Sequence, residues 1–223
     1  SVDQLRLIGI NSPERDECYS AESHAYLESL LEGEMVTLER DRTDRDRFDR
    51  LLRYVYLEDG TLVNEVMVEE GMAIARRYPP DTSLAKTLEA AQSRAKDAVL
   101  GLWAPDACGN ATNADLAVTE IYYDPPGNET EDLNAEYIVI SNNGGPLDMG
   151  GWGIRDESSS NRFTFPEGFS LGSGASVTIH SGCGDQSTTD LYWCSSHNAV
   201  WNNDGDTVFI QDPSGNSVVS RNY

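Results

Sequence analysis

The sequence changes character within "APDACGNATNAD", residues 104–115, a segment that is rich in turn formers and lacks large apolar side chains. Before this segment, stretches with helical spacing alternate with short apolar runs. After it, short β-rich runs are separated by Gly, Asn, Asp and Ser. This change of character across a turn-rich segment predicts two domains, 1–103 and 116–223, joined by a linker at 104–115.

The first domain is predicted to be α+β. Apolar runs and alternation indicate strands at 4–10, 34–40 and 51–57. Helical spacing indicates helices at 20–33, 62–71 and 83–103. Ser20 is expected to cap the first of these helices, and a glycine follows each of the first two.

The second domain is predicted to be a β-sandwich of the immunoglobulin-like type, because seven short strand-like segments are divided by frequent turns. We expect no helix of ten residues there. Its large aromatic side chains are expected to lie in the core: Trp152, Phe163, Phe165 and Trp201.

The charge balance is strongly acidic, with 38 Asp and Glu against 16 Lys and Arg and a formal net charge of -22. Only two of the basic residues are lysine, and thirteen of the sixteen lie within residues 1–110. This composition favours a halophilic protein that stays soluble at high salt, where screening removes self-repulsion. An acidic protein from an ordinary environment is the alternative.

The four cysteines fall two in each half and show no zinc-ligand spacing. We predict two disulfides, Cys18–Cys108 and Cys183–Cys194, and therefore a secreted, extracellular protein. Four independent buried thiols are the alternative. No apolar run in the sequence is long enough to span a bilayer.

Two stretches carry chemistry, "RLIGINSPE" at 6–14 and "DRFDRLLRYVYL" at 46–57. The first places Arg6 on a strand and Glu14 on the loop that leaves it, and the second places Arg50 at the start of another strand. If the strands are neighbours, two guanidinium groups and one carboxylate meet at a rim. Glu14 would take a proton from water, and the two arginines would bind phosphoryl oxygens, which suits phosphodiester hydrolysis.

Oxygen donors on the same loop predict a site for a hard cation such as Ca²⁺, formed by Asn11, Ser12 and Glu14. In the alternative interpretation, Asn11 and Ser12 only cap the chain at the loop.

These stretches, together with "GLW" at 101–103, resemble the staphylococcal nuclease (thermonuclease) family from about Ser1 to Trp103. The resemblance implies a five-stranded OB-fold barrel with three helices. It also implies a calcium-dependent nuclease that cuts DNA and RNA and leaves 3'-phosphate ends. By position, the catalytic roles of that family fall on Arg6, Glu14 and Arg50, a basic substrate contact on Arg47 and a nucleotide contact on Tyr78.

The chain departs from the family pattern in three places. Asn11 stands where the family usually has aspartate, and Asp49 stands where it usually has glycine. The opening hairpin of the family, which bears another calcium-binding aspartate, has no counterpart before Ser1. We therefore expect an N-terminally incomplete barrel with an open edge, or a divergent member in which something else closes the barrel. A nuclease-like scaffold that binds without catalysis is the alternative to an active enzyme.

Residues 114–223 resemble a lamin tail domain, an immunoglobulin-like sandwich, in the Trp-Gly turn at 152–153, the Phe-Pro pair at 165–166 and "WNNDGD" at 201–206. This half contains no titratable cluster suited to catalysis. We expect it to attach the protein to a surface, a partner or the cell envelope.

Overall fold

The computed structural model describes residues 3–15, 17–127, 131–158, 161–195 and 199–223. Contacts divide the chain into two compact units, Ser1–Cys108 and Gly109–Tyr223. Among the described residues, no helix is both long and apolar enough to cross a membrane.

The first unit contains five strands and three α-helices among its described residues. The strands are β1 (Leu5–Leu7), β2 (Ile10–Asn11), β3 (Val36–Glu39), β4 (Leu51–Leu57) and β5 (Ile74–Ala75). The helices are α1 (Ser20–Leu31), α2 (Val63–Glu69) and α3 (Ala85–Asp97).

Three of these strands form one sheet in the order β1-β4-β3, and β2 pairs separately with β5. β1 runs parallel to β4, and β3 runs antiparallel to it. In the part of the chain that the structure describes, β1 and β3 are the edges of the sheet. All four residues of β3 are exposed, including Val36 at 39% and Leu38 at 42%. Among the described strands, β3 therefore leaves one side of its backbone without a strand partner; the expectation of an N-terminally incomplete barrel stays a prediction.

A buried asparagine, Asn64 on α2, ties the strands to the helices. Its Oδ1 accepts a hydrogen bond from Val55 N at 2.9 Å, and its Nδ2 donates to Ile8 O at 2.8 Å. Because Asn64 is fully buried, each unmade hydrogen bond would cost about 1–3 kcal/mol. These bonds fix the two strands that carry the candidate site.

Two expectations for the helices were wrong. The N-cap of α1 is Tyr19, in the left-handed conformation at φ 67°, and no side chain caps the helix; Ser20 is its first residue. α3 ends at Asp97, not at Trp103, and Gly101–Trp103 form a separate 3-10 turn.

The early end of α3 has a physical cause in backbone packing. Gly101 has φ 54° and lies so close to the end of α2 that a Cβ atom on it would be 2.4 Å from Gly71 O. Leu102 N donates to the same carbonyl at 2.9 Å. A continuing helix could not make this contact, although the apolar pattern runs on through Leu102.

The described residues of the second unit form ten strands. They are β6 (Leu116–Tyr122), β7 (Tyr137–Asn142), β8 (Leu147–Asp148), β9 (Gly153–Arg155), β10 (Arg162–Thr164), β11 (Ser170–Leu171), β12 (Ser176–His180), β13 (Asp190–Tyr192), β14 (Thr207–Gln211) and β15 (Ser217–Asn222).

Two four-stranded sheets, β10-β9-β14-β15 and β13-β12-β7-β6, enclose the core of this unit, and β8 pairs with β11. Trp152, Phe163, Phe165 and Trp201 are all buried in that core, as expected. The longest helical segment among its described residues is the 3-10 turn Leu133–Ala135.

Within the segment proposed as a linker, the later residues bond to the second unit. Thr112 Oγ1 donates to Asp212 at 2.6 Å, and Asn216 donates to the carbonyl of Asn110 at 3.3 Å. The earlier end of the segment, at Cys108, belongs to the first unit.

Both expected disulfides are present. Cys18 is bonded to Cys108 and Cys183 to Cys194, so no cysteine is free.

Candidate active site

A cavity of about 600 Å³ in the first unit brings together five of the seven residues that the sequence predicted for catalysis, substrate and metal. These five are Arg6, Asn11, Ser12, Glu14 and Arg50. The floor of the cavity is apolar and includes Ile10, Leu27 and Met67. Arg47 and Tyr78 do not line it, although Tyr78 contacts Arg6, which does.

Strand register explains why the two arginines meet. β1 and β4 are neighbours, with Arg6 opposite Leu52, and Leu51 N donates to Gln4 O at 2.8 Å. Arg50 directly precedes β4 and therefore lies near the start of β1. The expectation that these strands are neighbours is confirmed.

Arg50 is held by the carboxylate of Asp46. Its Nε and Nη2 both lie 2.6 Å from Asp46 Oδ2. The other carboxylate oxygen of Asp46 accepts the backbone N–H groups of Phe48 and Arg50 at 2.9 and 3.0 Å. One carboxylate thus fixes both the turn and the guanidinium group.

The remaining face of Arg50 is available to a ligand. A guanidinium group carries five N–H donors, and Asp46 uses those on the Nε side. Among the described residues Nη1 has no partner, so the Nη1/Nη2 end can still grip an oxyanion with two hydrogen bonds.

The ion pair also perturbs Asp46. Burial raises the pKa of this carboxyl group, but the hydrogen bonds from Arg50 and from the backbone of Arg50 and Phe48 outweigh that effect and hold the pKa below its ordinary value. Asp46 is therefore ionised throughout the neutral range and keeps Arg50 in place.

Arg6 is positioned by an aromatic side chain. Its Nη2 donates to Tyr78 Oη at 2.8 Å, and its Cζ lies 5.4 Å from the centroid of the Tyr78 ring. Arg76 lies over the same ring at 4.6 Å. Arg6 forms no ion pair with any carboxylate in the described part of the chain, so its charge is not neutralised.

Glu14 lies on the Glu14 loop, which we define as residues 12–15 and 17–19; Asp16 between them lies outside the described residues. The loop has no regular secondary structure. Glu14 N donates to Glu17 Oε2 at 2.9 Å, and Glu17 N donates to Glu14 O at 2.8 Å. These local bonds form a turn that lies between β2 and α1.

Asp49 is accommodated by its backbone conformation, at φ 65°. This left-handed region favours glycine, and aspartate tolerates it better than most residues. Its side chain is 87% exposed and lies 3.6 Å from Arg45 Nη1. Arg45 also pairs with Asp3 at 3.0 Å. The backbone N–H of Arg42 donates to Asp81 Oδ1 at 2.9 Å.

Arg47 stacks on Phe48, with Cζ 4.7 Å from the ring centroid, and Arg50 lies 5.4 Å from the same ring. Phe48 is 63% exposed. In the described part of the chain Arg47 pairs with no carboxylate, so a second free cation lies beside Arg50.

The candidate metal ligands at the cavity are of the chemical type that a hard cation prefers, but together they carry little negative charge. Asn11, Ser12 and Glu14 supply only oxygen, the donor type that Ca²⁺ prefers. Glu14 is the one carboxylate among them, and the described residues contain no cluster of three or more His, Cys, Asp or Glu that could hold a metal.

Sequence reasoning missed Asp46 and the contact of Tyr78 with Arg6. The spacing Asp-x-x-x-Arg across a turn was the available signal for Asp46, because aspartate often accepts backbone N–H groups in turns. No sequence signal pairs Arg6 with Tyr78, which are 72 residues apart.

Comparison with known families agrees with this division. Residues 4–105 match the family described as Staphylococcal nuclease homologue, and residues 110–223 match the Lamin Tail Domain. The chain therefore contains a segment similar to staphylococcal nuclease homologues, followed by a lamin tail domain. The second match alone covers just over half of the chain, so the chain belongs to the lamin tail domain family.

Curated relatives match the nuclease domain. A thermonuclease of Staphylococcus intermedius is 32% identical over 107 residues, which is 45% of this chain and 63% of the relative. An uncharacterized endonuclease of Escherichia coli O157:H7 is 35% identical over 101 residues, which is 45% of this chain and 62% of the relative. The chain therefore spans a little under two thirds of the length of the relatives it matches.

The staphylococcal nuclease match assigns the first unit an OB fold, of which the described strands β1, β3 and β4 form one sheet. The curated relatives named above carry the names of a thermonuclease and an endonuclease. The lamin tail match accounts for the all-β second unit.

Proposed function

We propose that the first unit is a nuclease that hydrolyses phosphodiester bonds of nucleic acids in the cavity between Arg6, Glu14 and Arg50. The observation that carries this proposal is the shared cavity, which is lined by two arginines and one carboxylate. The outer two of these residues, Arg6 and Arg50, are 44 positions apart in the sequence. The nuclease and endonuclease names of the curated relatives support it.

Each side chain has a defined part in this reaction. The free end of Arg50 and the unpaired guanidinium of Arg6 bind the non-bridging oxygens of the phosphate and stabilise the charge that builds up on them. Glu14 accepts the proton of the attacking water. The leaving oxygen is proposed to be the 5'-oxygen, so that the products end in 3'-phosphates.

Calcium is the proposed cofactor, and Asn11, Ser12 and Glu14 would hold it. When bound, it would supply positive charge beside the phosphate. Because Asn11 replaces a charged donor by a neutral one, we expect weak affinity, with a requirement for millimolar calcium.

The proposed substrates are both DNA and RNA. A chain with a net charge of -22 repels a polyanion at low salt, whereas the Debye length falls to about 3 Å at 1 M salt. Only groups at contact distance then matter, and Arg6, Arg47 and Arg50 are such groups. Tyr78 is proposed to contact the nucleotide beside Arg6.

The protein is proposed to be secreted, since two disulfides persist in oxidising compartments. The lamin tail domain is proposed to attach the enzyme to a surface, a partner or the envelope.

One observation favours a second candidate, a nuclease-like scaffold without catalysis. β1 and β3 are open edges among the described strands, and Met35, Val36 and Leu38 are exposed at 73%, 39% and 42%. A domain with unpaired strand edges and exposed apolar side chains could bind a partner without cleaving nucleic acid.

The decisive experiment compares wild type with Glu14→Gln on supercoiled DNA and on RNA, at 0.1 and 2 M NaCl, with calcium or chelator. We expect calcium-dependent cleavage that Glu14→Gln lowers by about 10²–10⁴-fold, since general-base catalysis contributes that much. Glu28→Gln is the matched control, because it removes the same charge from an exposed position on α1.

Cleavage that resists chelator and is equal in both proteins would contradict the mechanism. A wild type that binds nucleic acid without cutting it at either salt concentration would establish the scaffold instead.

A further inference from the structure

The Glu14 loop is anchored by two structures, one at each end. At its start, β2 pairs with β5, with Asn11 opposite Ile74. At its end, Cys18 is bonded to Cys108, with a Cα–Cα distance of 5.6 Å. Between these anchors, Glu14 N donates to Glu17 Oε2 and Glu17 N donates to Glu14 O, two short-range bonds at an exposed position.

The partner of Cys18 is itself attached to the helical core. Cys108 follows the 3-10 turn Gly101–Trp103, where Gly101 packs against Gly71 at the end of α2. Ala104 N donates to Gly101 O at 3.0 Å, and Ala107 N donates to Ala104 O at 3.1 Å. A continuous chain of contacts therefore leads from α2 to Cys108 and, through the disulfide, to a point four residues from Glu14.

We propose that the Cys18–Cys108 disulfide is a positioning element for the general base, so that thiol reductants lower the nuclease activity without unfolding the domain. The inference rests on the proposed function. The arginines that bind phosphate are held independently, Arg50 by Asp46 and Arg6 by Tyr78. Reduction should therefore affect the proton transfer and leave phosphate binding intact.

The reaction is ordinary thiol–disulfide exchange. An added dithiol attacks the bond, the two cysteine sulfurs leave as thiols, and the dithiol closes to its own disulfide. The exchange is reversible, so oxidation should restore the activity.

The test compares kcat and KM of wild type, Cys18→Ser/Cys108→Ser and the matched control Cys183→Ser/Cys194→Ser, which lacks the other disulfide. In the first double variant we expect kcat to fall about 10- to 100-fold, because small misplacement of a catalytic group has that effect. KM should stay within about twofold, since binding is preserved. The control should keep the kcat of wild type.

A second arm repeats the comparison in the Glu14→Gln background. If the disulfide acts through Glu14, its loss should cause no further decrease there; an equal decrease in both backgrounds would overturn the proposal. So would an unchanged kcat in the first double variant. In a third arm, wild type is reduced with dithiothreitol and reoxidised, and far-UV circular dichroism is recorded. Loss of the helical signal on reduction would show that the bond is needed for folding and would also overturn the proposal.

Failure of the nuclease proposal gives a different result. In that case oxidised wild type and Glu14→Gln are already equal before any cysteine is changed.

Discussion

At the scale of single residues, the Asp46 carboxylate both closes a turn and holds Arg50, and the two tasks can be separated. Asp46→Asn keeps an oxygen that can accept the backbone N–H groups of Phe48 and Arg50 but removes the charge that pairs with the guanidinium. Asp46→Ala removes both.

We expect Asp46→Asn to lower kcat/KM about 10- to 100-fold, because Arg50 is no longer fixed, and to lose from the unfolding free energy only the contribution of the ion pair. Asp46→Ala should lose the activity and also about 1–3 kcal/mol of unfolding free energy, measured by urea denaturation. Equal activity of Asp46→Asn and wild type would show that Arg50 needs no orientation.

The depressed pKa of Asp46 also predicts a pH dependence. A carboxyl group with a lower pKa in the folded state stabilises the fold above its unfolded pKa of about 3.9, and this contribution is lost as the pH falls through the folded value. The difference in unfolding free energy between wild type and Asp46→Asn should therefore shrink as the pH falls below about 4. A difference that stays constant over this range would contradict the assignment.

Asp49 offers a second prediction at this scale, because its φ of 65° favours glycine. Asp49→Gly should stabilise the protein by about 0.5–1 kcal/mol in urea denaturation. Asp49→Ala removes the same charge but keeps the Cβ atom. If it stabilises as much as Asp49→Gly, the gain comes from charge and not from the backbone.

At the scale of elements, the contact between the end of α2 and the turn after α3 depends on two glycines. Gly101→Ala would place a Cβ atom 2.4 Å from Gly71 O, in a backbone region that is already unfavourable for alanine. We expect a loss of about 2–4 kcal/mol in unfolding free energy.

The matched control for this element is Gly60→Ala. Gly60 also has a positive φ, of 88°, but no neighbouring atom would lie within 4 Å of a Cβ atom placed on it. This variant should lose about 1–2 kcal/mol from backbone conformation alone. An equal loss in both variants would show that the close approach of Gly71 contributes nothing.

Element types were predictable from the sequence where local pattern and tertiary packing agree. β4 was predicted at its observed bounds, because "LLRYVYL" lies between a polar turn and "EDGT". The end of α3 was not predicted correctly, because the apolar pattern continues through Leu102. In the structure, Gly101 takes a positive φ and approaches Gly71 closely, so the helix cannot continue. Only the fold reveals that contact.

The candidate site also contains residues that could be predicted from the sequence and residues that could not. Arg6, Glu14 and Arg50 could be proposed from residue chemistry and family resemblance, and the shared cavity required only that β1 and β4 be neighbours. The residues that hold these side chains in position could not be predicted from the sequence. The role of Asp46 depends on turn geometry, and the Arg6–Tyr78 bond depends on side-chain conformations at two distant points.

At the scale of the whole molecule, the net charge of -22 makes the folded state sensitive to ionic strength. Raising NaCl from 0.1 to 2 M at pH 7 should raise the melting temperature by roughly 5 °C or more, because screening removes repulsion among carboxylates. Differential scanning calorimetry measures this directly.

The control is the same titration at pH 4, where many carboxylates are protonated. The salt effect should be clearly smaller there. A rise of equal size at both pH values would show that salt acts through hydration of apolar surface and not through charge.

The Cys18–Cys108 bond has one more consequence, which concerns proteolysis. It links two residues 90 positions apart and so closes a covalent ring that contains the three α-helices described in the first unit. A single peptide-bond cleavage anywhere in that ring, for example at the turn 58–61, leaves the two fragments joined through sulfur. The nicked domain can then persist as one particle, where an unbridged chain would come apart.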